Sequence, residues 1–165
     1  MSFGGKVVVI TGGGGGIGKA AAAGFLAEGG SVVLSSRRKS VLEDAQRELD
    51  PAGERSLLVP GDVSSGRVAQ RLIDTAIDRF GGVDVLVNST GIFRPVPFLE
   101  QTEDHVEEAL NSILRPTFYT SQAAARAMID RGGGAIVNVG SMWASTRSQR
   151  RRPAHIPPHK PVATP

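Results

Sequence analysis

The 165-residue sequence contains no cysteine, which excludes disulfides and leaves the compartment open. No apolar run approaches the ~18 residues that a membrane-spanning helix needs. The amino terminus lacks the charged-then-apolar pattern of a secretory signal. A soluble, cytoplasmic protein with no membrane partner is therefore expected. Acidic residues are missing from positions 145–165, which hold Arg147, Arg150, Arg151, Arg152 and Lys160. That local imbalance produces the net charge of +3; without those five, 14 basic residues face 16 acidic ones. A basic tail thus follows a mildly acidic domain, and the overall charge says little about nucleic acid. No specific nucleic-acid partner and no metal site are expected. With 40% apolar residues, the rest suffices for one domain with a core.

The stretch Lys6 to Gly18, KVVVITGGGGGIG, organises what is present. Val7 to Ile10 is a β-branched run without alternation, the pattern of a strand buried on both faces in a parallel sheet. Five glycines, Gly12 to Gly16, follow Thr11, and an alanine-rich segment to Glu28 then reads as a helix. Strand, glycine turn and helix start together form an anion site. Backbone N–H groups and the positive helix end face a turn whose missing Cβ atoms admit a pyrophosphate. A merely flexible glycine loop is the alternative.

Further strands are expected over 31–35, 57–59, 83–87 and 135–139, with helices over 41–49, 67–80 and from Thr102 to Arg131. The apolar spacing of Val68, Leu72, Ile73, Ala76, Ile77 and Phe80 supports the 67–80 helix, which Gly81-Gly82 ends. At the end of the second strand stand Ser36, Arg37 and Arg38, with no acid. An acid there would bind a ribose 2′-hydroxyl, whereas arginine accommodates a 2′-phosphate. The bland alternative is a solvated basic start to the next helix.

Thr11-Gly12-x-x-x-Gly16-Ile17-Gly18 resembles the TGxxxGIG cofactor loop of the short-chain dehydrogenases/reductases. The resemblance implies a Rossmann-type, doubly wound α/β fold and NAD(P)-dependent oxidoreduction of alcohols and ketones. Here it implies five parallel strands in the order 3-2-1-4-5, with the fifth an exposed edge. With Arg37 and Arg38, NADP is the expected cofactor in preference to NAD, and a small-molecule carbonyl or alcohol the expected substrate. Asp62-Val63 resembles the family's Asp-Val pair, whose carboxylate accepts from the adenine amino group; an ordinary turn aspartate is the alternative. Asn88-Ser89-Thr90-Gly91 stands where the family has Asn-Asn-Ala-Gly, which supports the central strand and borders the cofactor. Asn88 and Gly91 match, and a generic polar turn is the alternative. Gly140-Ser141 matches the catalytic serine at the end of the fifth strand, whose hydroxyl donates to a substrate oxygen; a structural serine is the alternative.

Other family features are missing. The family's relay asparagine lies five positions before the phenylalanine matched by Phe118, and Ile113 stands there. Asn111, more than half a helical turn around, reads as a surface residue. Pro116 replaces a glycine and is expected to kink or interrupt its helix. The family's Tyr-x-x-x-Lys pair, on one helix face, supplies the general acid/base. The sole tyrosine, Tyr119, is followed four positions on by Ala123 and is not expected to be the catalyst.

The resemblance covers about residues 5–144, in an incomplete NAD(P)-binding domain expected over 1–144. The proline- and arginine-rich residues 145–165 read literally as a disordered tail, or as a phosphate-binding arm. A third reading uses the genetic code. Codons formed from the third base of one residue and the first two of the next allow Ala-Thr-Pro-Ser-Ser-Ala-Tyr-Ser-Ala-x-x-Ala-Gly over Gln149 to Val162. That resembles the family's active-site helix, except that His159-Lys160 yields glutamine or stop and never lysine. The tail is accordingly expected to be out of frame. The chain as written is expected to be catalytically incompetent, and a cofactor-binding module without catalysis is the alternative function.

Overall fold

The computed structural model describes residues 2–92 and 94–141. Five strands, β1 (Val7–Thr11), β2 (Ser31–Ser36), β3 (Ser56–Pro60), β4 (Val85–Asn88) and β5 (Ala135–Asn138), form one sheet ordered 3-2-1-4-5. Every pairing is parallel, as expected. The helices α1 (Gly16–Ala27), α2 (Lys39–Leu49), α3 (Gly66–Phe80), α4 (Glu103–Ala109) and α5 (Arg115–Ile129) supply the crossovers.

The non-alternating run of β1 is explained by two cores. All five of its residues are buried. Val7 and Val9 join Val33 and Leu86 against α3 and α5, where Leu72, Ile73, Ala76, Ala124 and Met128 cover them. Val8 and Ile10 join Val32 and Leu34 on the other face, beneath Ala22 and Leu26 of α1 and Leu42 and Ala45 of α2. Burying one side chain of this size contributes about 1.5–3 kcal/mol, so a central strand apolar on both sides fixes the sheet. Gly81 ends α3 in the left-handed conformation, φ +83°, its N–H donating to the Ile77 carbonyl at 2.7 Å.

Two expectations take a particular form. The α-helix is interrupted just before Pro116, by a π-helical turn rather than by a break in the helical path. A π-helical turn over Leu110–Leu114 joins α4 to α5, and the Arg115 N–H donates to the Leu110 carbonyl. Proline lacks an N–H and crowds the carbonyl four residues back. The widened turn leaves Pro116 in the first turn of α5, so the chain stays helical. The fourth strand begins at Val85 rather than Val83, because Asp84 is an anchor. Asp84 Oδ2 accepts from the Val7 N–H at 2.9 Å and Oδ1 from Lys6 Nζ at 2.9 Å. Its backbone N–H donates to the Val7 carbonyl and its carbonyl accepts from Ala135, each at 2.9 Å. One residue thus pins the amino ends of β1, β4 and β5.

β5 is the exposed edge that the strand order implies, all four of its residues lying open. The tail, the boundary near residue 144 and the frame-shifted reading lie outside the described residues. Among the described residues, no helix is long and apolar enough to cross a membrane.

Burial acts to raise the Asp84 pKa, but the Val7 N–H and the Lys6 and Arg131 charges outweigh it and hold the carboxyl below its ordinary value. A depressed carboxylate contributes stability that is present above the unfolded value of about 3.9 and is lost as pH falls through the folded one. Urea midpoints at pH 7 and pH 3 should therefore show a smaller acid-side loss in Asp84→Asn than in the unsubstituted chain. The variant should also be less stable at pH 7.

Candidate functional site

The carboxyl ends of the strands lie in register along one edge, Thr11 opposite both Ser35 and Asn88, Ser36 opposite Pro60, and Asn88 opposite Asn138. At this edge stand Gly12 after β1, Gly16, Ile17 and Gly18 in the first turn of α1, Ser36 at the end of β2, and Arg37, Arg38, Asp62, Gly91 and Ser141 in the segments that follow the strands. Residues spread over 130 positions are therefore brought to one side of the sheet. That is the side on which open α/β sheets bind ligands.

The glycine run divides into two kinds of position. A Cβ on Gly12 would stand 2.6 Å from the Ser89 carbonyl oxygen, and one on Gly18 2.5 Å from that of Gly12. A Cβ on Gly13 would meet Leu34 at 2.9 Å, and one on Gly14 would meet Val41 at 2.7 Å. Gly12 and Gly18 thus let the β4 turn and α1 close onto the loop, and Gly13 and Gly14 let the loop lie against β2 and α2. Gly15 and Gly16 have nothing within 4 Å of a Cβ and face open space at the start of α1. Gly15 is extended, with φ −173°, and has no capping side chain. The N–H groups opening α1 thus border room for an anion. Ile17, 62% exposed, stands beside that opening.

Asn88 is buried, and its carboxamide is fully engaged. Nδ2 donates to Asn138 Oδ1 at 2.9 Å and to Ser121 Oγ at 3.0 Å. Thr120 Oγ1 lies 2.6 Å from both Asn88 Oδ1 and the Pro116 carbonyl, so its single proton is shared between two acceptors. The Ser89 N–H donates to Thr11 Oγ1 at 3.1 Å and the Val139 N–H to the Asn88 carbonyl at 2.9 Å. β1, β4, β5 and α5 are tied together at the edge.

Arg37 and Arg38 are exposed between β2 and α2, and neither guanidinium has a partner among the described residues. The Ser36 carbonyl accepts from the Gly61 N–H at 3.0 Å, which holds the β2 and β3 loops together. Asp62 is exposed, with Oδ1 accepting from the Ser64 N–H at 3.0 Å. Val63 differs: its side chain is buried in the α3–α5 core, so only its backbone borders the edge. Gly91 is exposed, a Cβ there standing 3.7 Å from Ile113 Cγ1. Ser141 is exposed beyond β5.

Asn111 is half-buried and its Oδ1 accepts from Arg115. Tyr119 packs beside Phe118 and against Gly66 at the start of α3. The partners of Asn88 were not legible as a group. Only Asn138, a lone amide in the apolar run AIVNV, carried a signal.

With this geometry in hand, the class is clear: a doubly wound nucleotide-binding fold with its ligand edge at a glycine turn. A short chain dehydrogenase family model matches residues 6–152, and the chain belongs to that family. It is 33% identical over 111 residues to the L-rhamnose-1-dehydrogenase of Scheffersomyces stipitis, covering 67% of this chain and 43% of that protein. It is 38% identical over 98 residues to the L-rhamnose 1-dehydrogenase (NAD(P)(+)) of a Sphingomonas species, covering 59% and 39%. A crystal structure of a short chain dehydrogenase from Bacillus anthracis superimposes with a TM-score of 0.83 at 33% identity, over 88% of this chain and 59% of that one. The chain thus matches about two-fifths of the length of these curated relatives. Family members bind NAD(P), and the matched relatives are dehydrogenases.

Two substitutions separate the kinds of glycine. Gly18→Ala forces a Cβ onto backbone and should destabilise the fold by about 1–3 kcal/mol, the usual range for overpacking. Gly15→Ala should leave the unfolding midpoint within about 0.5 kcal/mol, as expected of a substitution in open space. Denaturant melts of both variants provide the check. Removing the Asn88 side chain (Asn88→Ala) should cost about 2–4 kcal/mol in the same assay, because Thr120 and Asn138 lose their buried partner.

Proposed function

We propose that residues 1–144 form the NADP-preferring cofactor half of a short-chain oxidoreductase. In this reading hydride passes between the nicotinamide and a small carbonyl or alcohol in the cytoplasm. The observation that carries the reading is the open pair Gly15-Gly16 at the start of α1, with two unpartnered arginines on the neighbouring β2 loop.

The first turn of α1 binds the pyrophosphate through its backbone N–H groups, where Gly16 leaves room. Arg37 and Arg38 take the 2′-phosphate by charge-assisted hydrogen bonds, with Ser36 shaping the loop. Asp62 accepts from the adenine amino group, and the backbone of Val63 lines that side. Asn88 holds the turn that carries Gly91 along the cofactor. Ser141 donates to the substrate oxygen. The nicotinamide, when bound, supplies the hydride chemistry.

As written, the 165 residues contain no Tyr-x-x-x-Lys pair, and Tyr119 lies against α3 instead. A positioned acid/base is worth roughly 10²–10⁴ in rate. The sequence as written therefore binds cofactor without turning over, and the catalytic function belongs to the chain read with its tail in frame and with lysine where the shifted reading of His159-Lys160 gives glutamine. Sequencing the coding DNA tests this directly: a one-base change should restore a tyrosine-containing frame after about residue 144.

Arg37→Ala should weaken NADP binding by about 1–3 kcal/mol, the scale of a charge-assisted hydrogen bond, with little effect on NAD. Calorimetry with both cofactors checks this, and equal affinities in the unsubstituted chain would remove the proposed preference. NADPH oxidation with a panel of ketones and aldehydes should stay at background. Turnover that disappears in Ser141→Ala would overturn the account of the chemistry.

A further inference from the structure

Among the described residues, β5 has a neighbouring strand on one side only. The Ala135 N–H donates to the Asp84 carbonyl and the Val139 N–H to that of Asn88, each at 2.9 Å. Successive residues of a strand direct these groups to alternate sides. Ala135, Val137 and Val139 therefore serve the ladder with β4. The N–H and carbonyl groups of Ile136 and Asn138 point outward, where no described strand meets them.

This edge has none of the features that discourage pairing. Residues 132–140, GGGAIVNVG, contain no charge and no proline. Ile136, Val137 and Val139 are 38%, 48% and 37% exposed. Ala135 and Val137 lie in register with Val85 and Val87, so with Val139 they extend an apolar row on the sheet face of Val8 and Ile10. The sequence that follows offers no comparable strand. Positions 145–165 hold five basic residues and five prolines, and proline cannot donate to a ladder.

We propose that β5 is a self-association edge whose occupant is β5 of a second copy of this chain, paired antiparallel about a two-fold axis at Val137. A two-fold axis through the edge closes the assembly at a dimer and makes the strands run in opposite directions. In this register the outward groups of Ile136 meet those of Asn138 in the other copy, and each such pair exchanges both of its N–H···O bonds. The apolar row is matched as well, Val137 against Val137 and Ala135 against Val139. A register slipped by two residues sets Val139 against Gly133, or Ala135 against Ser141. The association does not use the cofactor site, so it stands or falls apart from that reading.

The test is sedimentation equilibrium of the 165-residue chain over a wide concentration range. The mass should rise from 17.3 kDa to twice that value and no further. Val137→Lys sets like charges opposite each other at the axis and should weaken the dimer by about tenfold or more. Ile136→Pro removes an outward N–H that the ladder with β4 does not use, and should have a similar effect. Both variants should keep the circular dichroism of the unsubstituted chain. Because the chain has no cysteine, Val137→Cys reports the register. Its two copies would form a non-hydrogen-bonded pair with a Cα separation of about 4.5 Å, which a disulfide spans. Mild oxidation should link it faster than Ile136→Cys, whose counterpart lies on the diagonal. A mass that stays at 17.3 kDa at every concentration overturns the proposal, whether the edge is open or covered by the chain's own tail. So does a dimer that folded Val137→Lys and Ile136→Pro leave intact, or a mass that climbs past two copies. Failure of Val137→Cys to crosslink within a dimer overturns the pairing even where the other variants do not fold.

Discussion

The Asn88 carboxamide is the interaction on which the site depends. Its three hydrogen bonds reach Thr120 and Ser121 on α5 and Asn138 on β5, from a side chain 4% exposed. In that environment an unmet polar group is expensive, so the amide has one satisfactory orientation and its partners are held with it. β5 has one neighbouring strand and no cover on its exposed residues. Asn88 at one end and Asp84 at the other supply polar anchors that apolar packing does not provide for this strand.

The glycine loop shows how one composition serves two purposes. At Gly12, Gly13, Gly14 and Gly18 the absence of a side chain permits contact within the protein. At Gly15 and Gly16 it leaves space outside the protein. The first set lets the loop close against the β4 turn, β2, α2 and the start of α1. The second keeps that helix start accessible to an anion. Closeness and openness within seven residues require a residue with no Cβ in both roles.

Electrostatics at the edge follow the same division. The carboxylate of Asp84 is satisfied at the amino ends of the strands. Among the described residues, the exposed guanidinium groups of Arg37 and Arg38 have no partner at the carboxyl end of β2.

The sequence by itself determined the fold class, the strand order and the edge on which the site forms. The β-branched run Val7–Ile10, the glycine turn and the helical period of residues 67–80 are local signals, and local sterics and periodicity set them. The match to a family motif then carried the order of strands. Tertiary structure alone decided how the glycines divide, because whether a missing Cβ faces Ser89 or open space depends on a strand more than seventy positions away. It placed the Val63 side chain in the α3–α5 core, so only the backbone of that residue borders the edge. It decided how the chain passes Pro116: a π-helical turn over Leu110–Leu114 precedes the proline, which then stands in the first turn of α5. It also assembled Asn88, Thr120, Ser121 and Asn138. A hydrogen bond between residues fifty positions apart leaves no period in the sequence, and it exists only once the sheet and α5 have packed.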